Sequence, residues 1–293
     1  MGMREVILSF VAFISSFFAT QRPVIQLYQA PPIKPTVTLV ATGDVIPARL
    51  VNFKVAEIGD YSYPWLKMGD FLKKADLTVI NLEAPLFSGC PVITTGFKFC
   101  GSDKHIAGLL FAGVDVASLA NNHLGNYGQD GIDKTVRLLT ENNIATGGAI
   151  VVKNTRFYFL SYNDIGARLD NFESEIAEAK RKNDVVVVSV HWGTEYQDEP
   201  DKRQKDLAYR MVDAGADLIL GNHPHWVQPA ETYKGKLIKY AHGNFIFDQN
   251  WSKKTMEGEV GKYTFRDGKL IDAQFLPIQI SPNFQPDFTQ PPN

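Results

Sequence analysis

Val185-Val186-Val187-Val188-Ser189-Val190-His191-Trp192-Gly193 is the stretch on which the fold turns. Its valines form the most β-branched run in the chain, and such a run suits a strand covered on both faces at the centre of a sheet. The run ends on an imidazole. A polar ring at the end of a buried strand needs a partner, so the residues that predict a central strand also mark a candidate site.

Outward from this strand, apolar runs of strand length alternate with segments of helical period, the pattern of βαβ units and a largely parallel sheet. Strands are expected at residues 36–42, 77–82, 115–120, 157–162, 185–190 and 218–220. Helices are expected at 63–75, 104–112, 131–142, 172–182 and 207–214. Shorter runs at 237–247, 262–265 and 269–277, with Lys-Gly and Asp-Gly turns, predict antiparallel additions at a sheet edge. Residues 281–293 are Pro-rich and polar and read as a loose tail. Neither a repeat nor a low-complexity linker interrupts residues 36–280, so they read as one α/β domain.

Composition narrows the function. The chain has 293 residues, 44% of them hydrophobic, enough for a substantial core. Its 30 basic and 32 acidic residues leave a net charge of -2, which provides no positive field for a polyanion and excludes general nucleic-acid binding. Residues 6–18 run almost without polar interruption, so residues 1–20 read as an export signal or short membrane anchor. Residues 21–35 follow as a Pro-rich tether, and the expected location is extracytoplasmic. The two cysteines, Cys90 and Cys100, fit either a small loop disulfide or two free thiols.

The chemistry-bearing residues share a position. Asp44, Glu83, Asn122-His123, His191 and His223-Pro224-His225 each stand one to three residues past an expected strand. Open α/β sheets gather their sites at such strand ends, so residues distant in sequence would meet in one crevice. Their carboxylates, amide and imidazoles make a mixed oxygen and nitrogen set suited to one or two divalent ions such as Mn, Fe or Zn. Taken singly, each has a plainer reading: Gly43-Asp44 as a turn, Asn121-Asn122 as an Asx turn, Glu83 as a solvated acid. Their joint placement carries the argument. Of the six histidines, His105 alone sits in an expected amphipathic helix, where it reads as structural, while His242 reads as part of the rim.

Gly43-Asp44-Val45, Asn81-Leu82-Glu83, Ser118-Leu119-Ala120-Asn121-Asn122-His123, His191-Trp192-Gly193, Gly221-Asn222-His223-Pro224-His225 and Gly243-Asn244-Phe245-Ile246-Phe247-Asp248 together resemble the CapA/PgsA family. That family is associated with poly-gamma-glutamate capsule synthesis or export and is related to calcineurin-like metallophosphoesterases. The resemblance spans about residues 36–280 and implies a layered fold of central β-sheets flanked by helices. By position it implies Asp44 and His225 on a first metal, Asn122, His191 and His223 on a second, and Glu83 as the bridging carboxylate. His123 would be the catalytic acid or phosphate-contacting group, and Arg49, His242 and Asn244 would face substrate.

Two departures stand out. Phosphoesterases carry Asp-x-His at the first motif, whereas here the third position is Ile46, which predicts a loosely held first metal. The second carboxylate is Glu83 on a Leu-Glu frame rather than a Gly-Asp frame. The resemblance implies an anionic polymer or phosphoester substrate and membrane-bound capsule synthesis proteins as partners. Two functions follow: a metal-dependent hydrolase of phosphoesterase type, or a non-catalytic factor that holds polymer during envelope assembly. A third reading takes Trp192, Trp226 and Trp251 as carbohydrate-stacking surfaces, against the plainer reading of core or rim packing.

Overall fold

The computed structural model describes residues 35–166 and 168–290, so the expected signal segment at 1–20 lies outside the described residues, as does the tether apart from Pro35. The first half runs β1 (Val37–Val45), α1 (Arg49–Ile58), α2 (Gly69–Leu72), β2 (Leu77–Leu82), α3 (Ile106–Phe111), β3 (Val116–Ser118) and α4 (Gly128–Glu141). Next come β4 (Gly148–Val152), β5 (Thr155–Asn163), α5 (Glu173–Lys182), β6 (Val185–His191), α6 (Lys202–Ala214) and β7 (Leu218–Asn222). The remainder is β8 (Val227–Tyr233), β9 (Lys236–His242), β10 (Asn244–Ile246), β11 (Glu257–Arg266), β12 (Lys269–Ile280) and β13 (Pro286–Phe288).

These strands divide into two sheets. One has the order β13-β12-β11-β1-β2-β3, with β10 also pairing along the end of β1; the other has the order β4-β5-β6-β7-β9-β8. In the first sheet β1, β2 and β3 are parallel and β11, β12 and β13 continue it antiparallel on one side; in the second, β5, β6, β7 and β9 are parallel, with β4 and β8 antiparallel at the two edges. The period of two in a strand explains why their cores need unbroken apolar runs. Leu39, Ala41, Leu77 and Val79 pack with Phe157, Phe159, Val185, Val187, Leu218 and Leu220, contributed by the other sheet. The alternate residues Val186, Val188 and Val190 turn the other way, against Ile176, Leu207 and Met211 of α5 and α6. Val40, Ile80 and Leu82 do the same against Val51, Leu109 and Leu139 of the first-half helices. The result is four layers, helix, sheet, sheet, helix, with the strands β1, β2, β6 and β7 buried on both faces. Each fully buried Val or Leu contributes roughly 1.5–3 kcal/mol.

Several expectations are corrected. The single helix at 63–75 is instead a 3-10 turn at Tyr63–Trp65 and one turn of α2. Gly69 opens α2, and a Cβ there would stand 2.4 Å from the Phe111 ring, so packing requires a residue that weakens the helix. The run at 237–247 splits into β9 and β10 in different sheets, and β9 runs parallel to β7 rather than antiparallel at an edge. β8 has no strand expectation because Pro229 interrupts it. It forms the edge beyond β9, where a missing N–H is tolerated. Residues 281–290 are not a loose tail: β13 pairs with β12, and Phe288 meets the Phe71 ring edge-on at 4.9 Å.

Cys90 and Cys100 are joined in a disulfide, resolving the alternative of two free thiols. Among the described residues, no helix is long and apolar enough to cross a membrane.

Phe157 is fully buried between the sheets and packs edge-on against Phe265 at 5.3 Å. Phe157→Ala is expected to lower unfolding free energy by about 3–5 kcal/mol, because the neighbouring strands cannot collapse into the void. Denaturant unfolding measures this, and a loss under about 1 kcal/mol would contradict the described packing.

Candidate metal centre

The parallel strands of both sheets end at one place. Asp44 is in β1, Glu83 follows β2, Asn122 and His123 follow β3, His191 ends β6, and His223 and His225 follow β7. Backbone register fixes several of them: Asp44 pairs with Asn81 on one side and Asn244 on the other, and His191 pairs with Asn222. Gly43 permits this crowding. A Cβ there would lie 2.1 Å from the Gly243 carbonyl oxygen, the same oxygen that accepts from the Asp44 N–H at 2.9 Å.

The residues expected to share a site do meet. Asp44, Glu83 and His225 form one group, and Glu83, His191 and His223 another, each offering ligand atoms within 4.8 Å of one another. Glu83 belongs to both groups. Asn122 joins through its Oδ1, 2.8 Å from His191 Nε2. Asp44, Glu83, His191, His223 and His225 are all buried.

Two atoms test whether a cation fits. Glu83 Oε1 and His223 Nδ1 are buried without a hydrogen-bond partner, although Glu83 Oε1 stands 3.4 Å from His191 Nε2. Buried polar atoms are normally satisfied, because leaving one unpaired costs about 1–3 kcal/mol. A divalent ion would satisfy both, and the oxygen and nitrogen donors match such ions. Backbone strain supports the same conclusion. His223 and His225 adopt φ values of 97° and 58°, costly for residues other than glycine and found where surroundings enforce a functional geometry.

The electrostatics of the metal-free chain follow from burial and close charges. Burial raises the Glu83 carboxyl well above its ordinary range, and the nearby Asp44 charge adds to the effect. Burial also pushes Asp44 upward, but the hydrogen bond and charge of His225, with help from His191 and Asn81, outweigh it and leave Asp44 lowered. His225 opposes its own burial penalty through Asp44 and Glu83 and rises to about 9. His191 falls to about 3 through burial, and His223 to about 2 through burial and the neighbouring imidazoles. Both rings are therefore neutral at pH 7, with a lone pair available to a cation.

His123 stands beside these groups. Its ring stacks on Phe99 at 4.1 Å between centroids, and Nδ1 lies 3.0 Å from Asn126 Oδ1. An amide oxygen only accepts, so the proton is on Nδ1 and Nε2 is the basic nitrogen of the neutral ring.

Two of the three substrate-facing expectations, His242 and Asn244, are corrected. His242 is fully buried, with Nε2 2.9 Å from the Tyr263 hydroxyl, so it is a core residue rather than part of a rim. Asn244 is buried as well: its Oδ1 lies 3.0 Å from His225 Nδ1, and its Nδ2 donates to the Gln249 side chain and the Thr255 carbonyl. It positions His225. Arg49 is held by Asp248 through two side-chain contacts and lies over the Phe99 and Phe247 rings, so its charge is already matched. His105 is structural as expected, with Nε2 3.0 Å from Asn52 Oδ1. Trp192 is buried and donates Nε1–H to the Tyr240 carbonyl, which removes it as an exposed stacking surface.

Sequence reading missed three contributors. Asn81 donates Nδ2–H to Asp44 Oδ1 at 2.8 Å and to Glu83 Oε2 at 3.3 Å, orienting both carboxylates. Asn121 in turn donates to Asn81 Oδ1 at 3.2 Å. Glu195, in the loop after β6, has a carboxylate oxygen within 4.8 Å of ligand atoms of His223 and His225. Asn81 lies two residues from Glu83 on the same strand face, a signal available from period two. Nothing distinguished Glu195 from an ordinary loop acid.

Residues 38–168 and 152–249 match the family model described as bacterial capsule synthesis protein PGA_cap. Among curated relatives, the capsule biosynthesis protein CapA of Bacillus anthracis is 30% identical over 278 residues, covering 83% of this chain and 67% of that one. The PGA biosynthesis protein CapA of Bacillus subtilis is 33% identical over 193 residues, covering 56% and 50%. The chain thus spans about two thirds of the first relative and half of the second. A solved structure from Mycoplasma pneumoniae, described as a novel phosphatase, aligns with a TM-score of 0.55 at 12% identity over 84% of this chain and 95% of that one. That likeness establishes a phosphatase-like fold.

Metal uptake by these ligands is expected to release protons, because a ligand must shed its proton before it binds. His225 is raised to about 9, so it is charged at pH 7 and its proton opposes the cation. Apparent affinity should rise by up to about tenfold per pH unit from pH 7 and flatten above about 9. The sign for the metal-free fold is opposite: the stability contributed by His225 is complete below its unfolded value of 6.5 and is lost as pH rises through about 9. Calorimetric titration in buffers of different ionisation enthalpy reads both proton release and affinity. Binding that is independent of pH would refute this account.

Proposed function

The chain belongs to the bacterial capsule synthesis protein PGA_cap family, and on that premise we propose that it acts outside the cytoplasm in poly-gamma-glutamate capsule synthesis or export through a metal-dependent hydrolase-type centre. One observation carries the catalytic part. Glu83 Oε1 and His223 Nδ1 are buried and unpaired inside a group of carboxylates and imidazoles drawn from both sheets. A site built only for structure would satisfy or exclude such atoms.

Asp44 and His225 would hold one divalent ion, Asn122, His191 and His223 a second, and Glu83 both. Bound ions of this kind lower the pKa of water and neutralise charge developing on a phosphoryl or carbonyl oxygen. The chain's own residues supply the remainder. Asn81 keeps Asp44 and Glu83 turned toward one another. His123, fixed by Phe99 and Asn126, presents Nε2 to hold or deliver a proton at the leaving group. The substrate is an anionic polymer or phosphoester, and the partners are membrane-bound capsule synthesis proteins.

The extracytoplasmic location rests on the apolar run at residues 6–18 and on the Cys90–Cys100 disulfide, which oxidising compartments favour. A second reading, a non-catalytic factor that holds polymer during assembly, draws on Ile46. A buried apolar side chain stands where the phosphoesterase motif carries an imidazole.

Metal analysis and hydrolysis of a chromogenic phosphodiester separate the two readings. The purified chain is expected to contain a divalent metal and to turn the ester over. His191→Ala should lower metal occupancy and cut turnover by about a hundredfold or more, with its unfolding transition retained. A wild-type protein that is inert and takes up no metal would leave the assembly reading in place.

A further inference from the structure

Ile46 leaves the Asp44–His225 end of the centre one donor short. It is fully buried in an apolar cluster with Ala48, Ala84, Phe99 and Phe247, and the Phe247 ring lies 5.4 Å from that of His225. No polar atom comes from this side chain. Its side of the centre is sealed with hydrocarbon.

A carboxylate reaches the same histidines from another part of the chain. Glu195, His223 and His225 each offer a ligand atom within 4.8 Å of the others. The turn bearing Glu195 is built to stand there. Trp192 N–H donates to the Asn222 carbonyl at 3.1 Å, and Tyr196 N–H donates to the Pro224 carbonyl at 2.8 Å, so the turn is fastened at both ends to the loop that bears the two histidines. Gly193, at φ 82°, lets the chain turn over Gln204: a Cβ would stand 2.5 Å from that amide. Gln204 is itself fixed by the capping box with Asp201 and by its bond to Gln228. Tyr196 adopts φ 60°, and its hydroxyl accepts from Gln249 Nε2 at 3.0 Å. His223, whose Nδ1 is buried and unpaired, belongs to the same group of residues.

We infer that Glu195 is a metal ligand: among the residues of the first position it reaches His225, and there it supplies the donor that Ile46 does not. The inference rests on the metal-centre reading above. It makes the two positions chemically unequal. The first is bounded by the carboxylates Asp44, Glu83 and Glu195 with the imidazole His225. The second takes two imidazoles, one amide oxygen and the shared carboxylate. Oxygen-rich sets favour Mn²⁺ relative to Zn²⁺ more than imidazole-rich sets do. The missing imidazole is thus replaced by a harder donor, which shifts the metal preference of one position.

Calorimetric titration of the metal-free full chain with Mn²⁺ tests this without reference to turnover. Wild type is expected to show two sites. Glu195→Ala and Glu195→Gln should each weaken one site about tenfold or more, leaving the other, and the melting temperature of the metal-free chain, unchanged. Zn²⁺ titration of the same variants should show a smaller loss. Two sites of wild-type affinity in both variants would overturn the role of Glu195 and leave the metal centre standing. Equal weakening of both sites would overturn it in favour of a structural role for the turn. A wild-type chain that binds one ion, held with unchanged affinity in both variants, would likewise overturn the role of Glu195, and one that binds none would remove the metal centre as well.

Discussion

Asp44 and Glu83 are both buried, and both accept from the same Asn81 amide. Two carboxylates in such a place repel one another in a medium that screens poorly, and burial penalises each charge in addition. The fold does not avoid the conflict; it supplies positive charge and donors around it. His225 answers Asp44, Asn81 bridges the pair, and Glu83 is left raised with one oxygen unpaired. The four-layer packing makes this possible. Strand ends are held rigidly enough by valine and phenylalanine contacts to keep like charges together. A softer scaffold would relax and let one acid escape to water.

That constraint explains which parts of the molecule were legible in sequence. β2, β6 and β7 were readable because strands buried on both faces must be apolar throughout, and the polar residue that ends such a run is conspicuous. Asp44, Glu83, His191, His223 and His225 all stand at such breaks. The division into two sheets was not readable. β4 exposes alternate residues and β8 contains Pro229, so neither carries the unbroken run, and strand pairing is a long-range choice that periodicity does not encode. Residues 281–290 were misread for a related reason. Pro and polar residues dominate their composition, while the anchoring comes from the packing of Phe284 and Phe288, the pairing of β13 with β12 and the bond from the Gln285 amide to the Tyr63 carbonyl.

Histidine is where sequence position misled. His242 and His225 both stand near the end of a strand and beside glycine- or proline-bearing turns. Yet His242 ends β9, packs into the interior and bonds Tyr263, while His225 lies in a strained loop facing the carboxylates. Asn244 shows the same limit in reverse: its motif position suggested substrate, but its oxygen holds His225. Residues that orient ligands occupy the same strand ends as the ligands themselves, so a motif marks the neighbourhood and only packing assigns the role.

The wall of the centre links the remaining departures to one another. Ile46 belongs to the apolar cluster whose Phe247 ring lies beside His225, and that hydrocarbon continues through Phe99 to the ring of His123. Arg49 lies over the same two phenylalanines with its charge taken by Asp248, so the wall carries a cation without offering it to the site. Phe99 is next to Cys100, and the Cys90–Cys100 disulfide closes the loop that carries it. The exchange of an imidazole for isoleucine is therefore more than the loss of a ligand. It joins His123 and His225 to a single apolar surface, which lowers the local dielectric and strengthens every charge interaction across the centre. A donor arriving from the opposite part of the chain, as Glu195 does, meets a site already shaped to make its charge count.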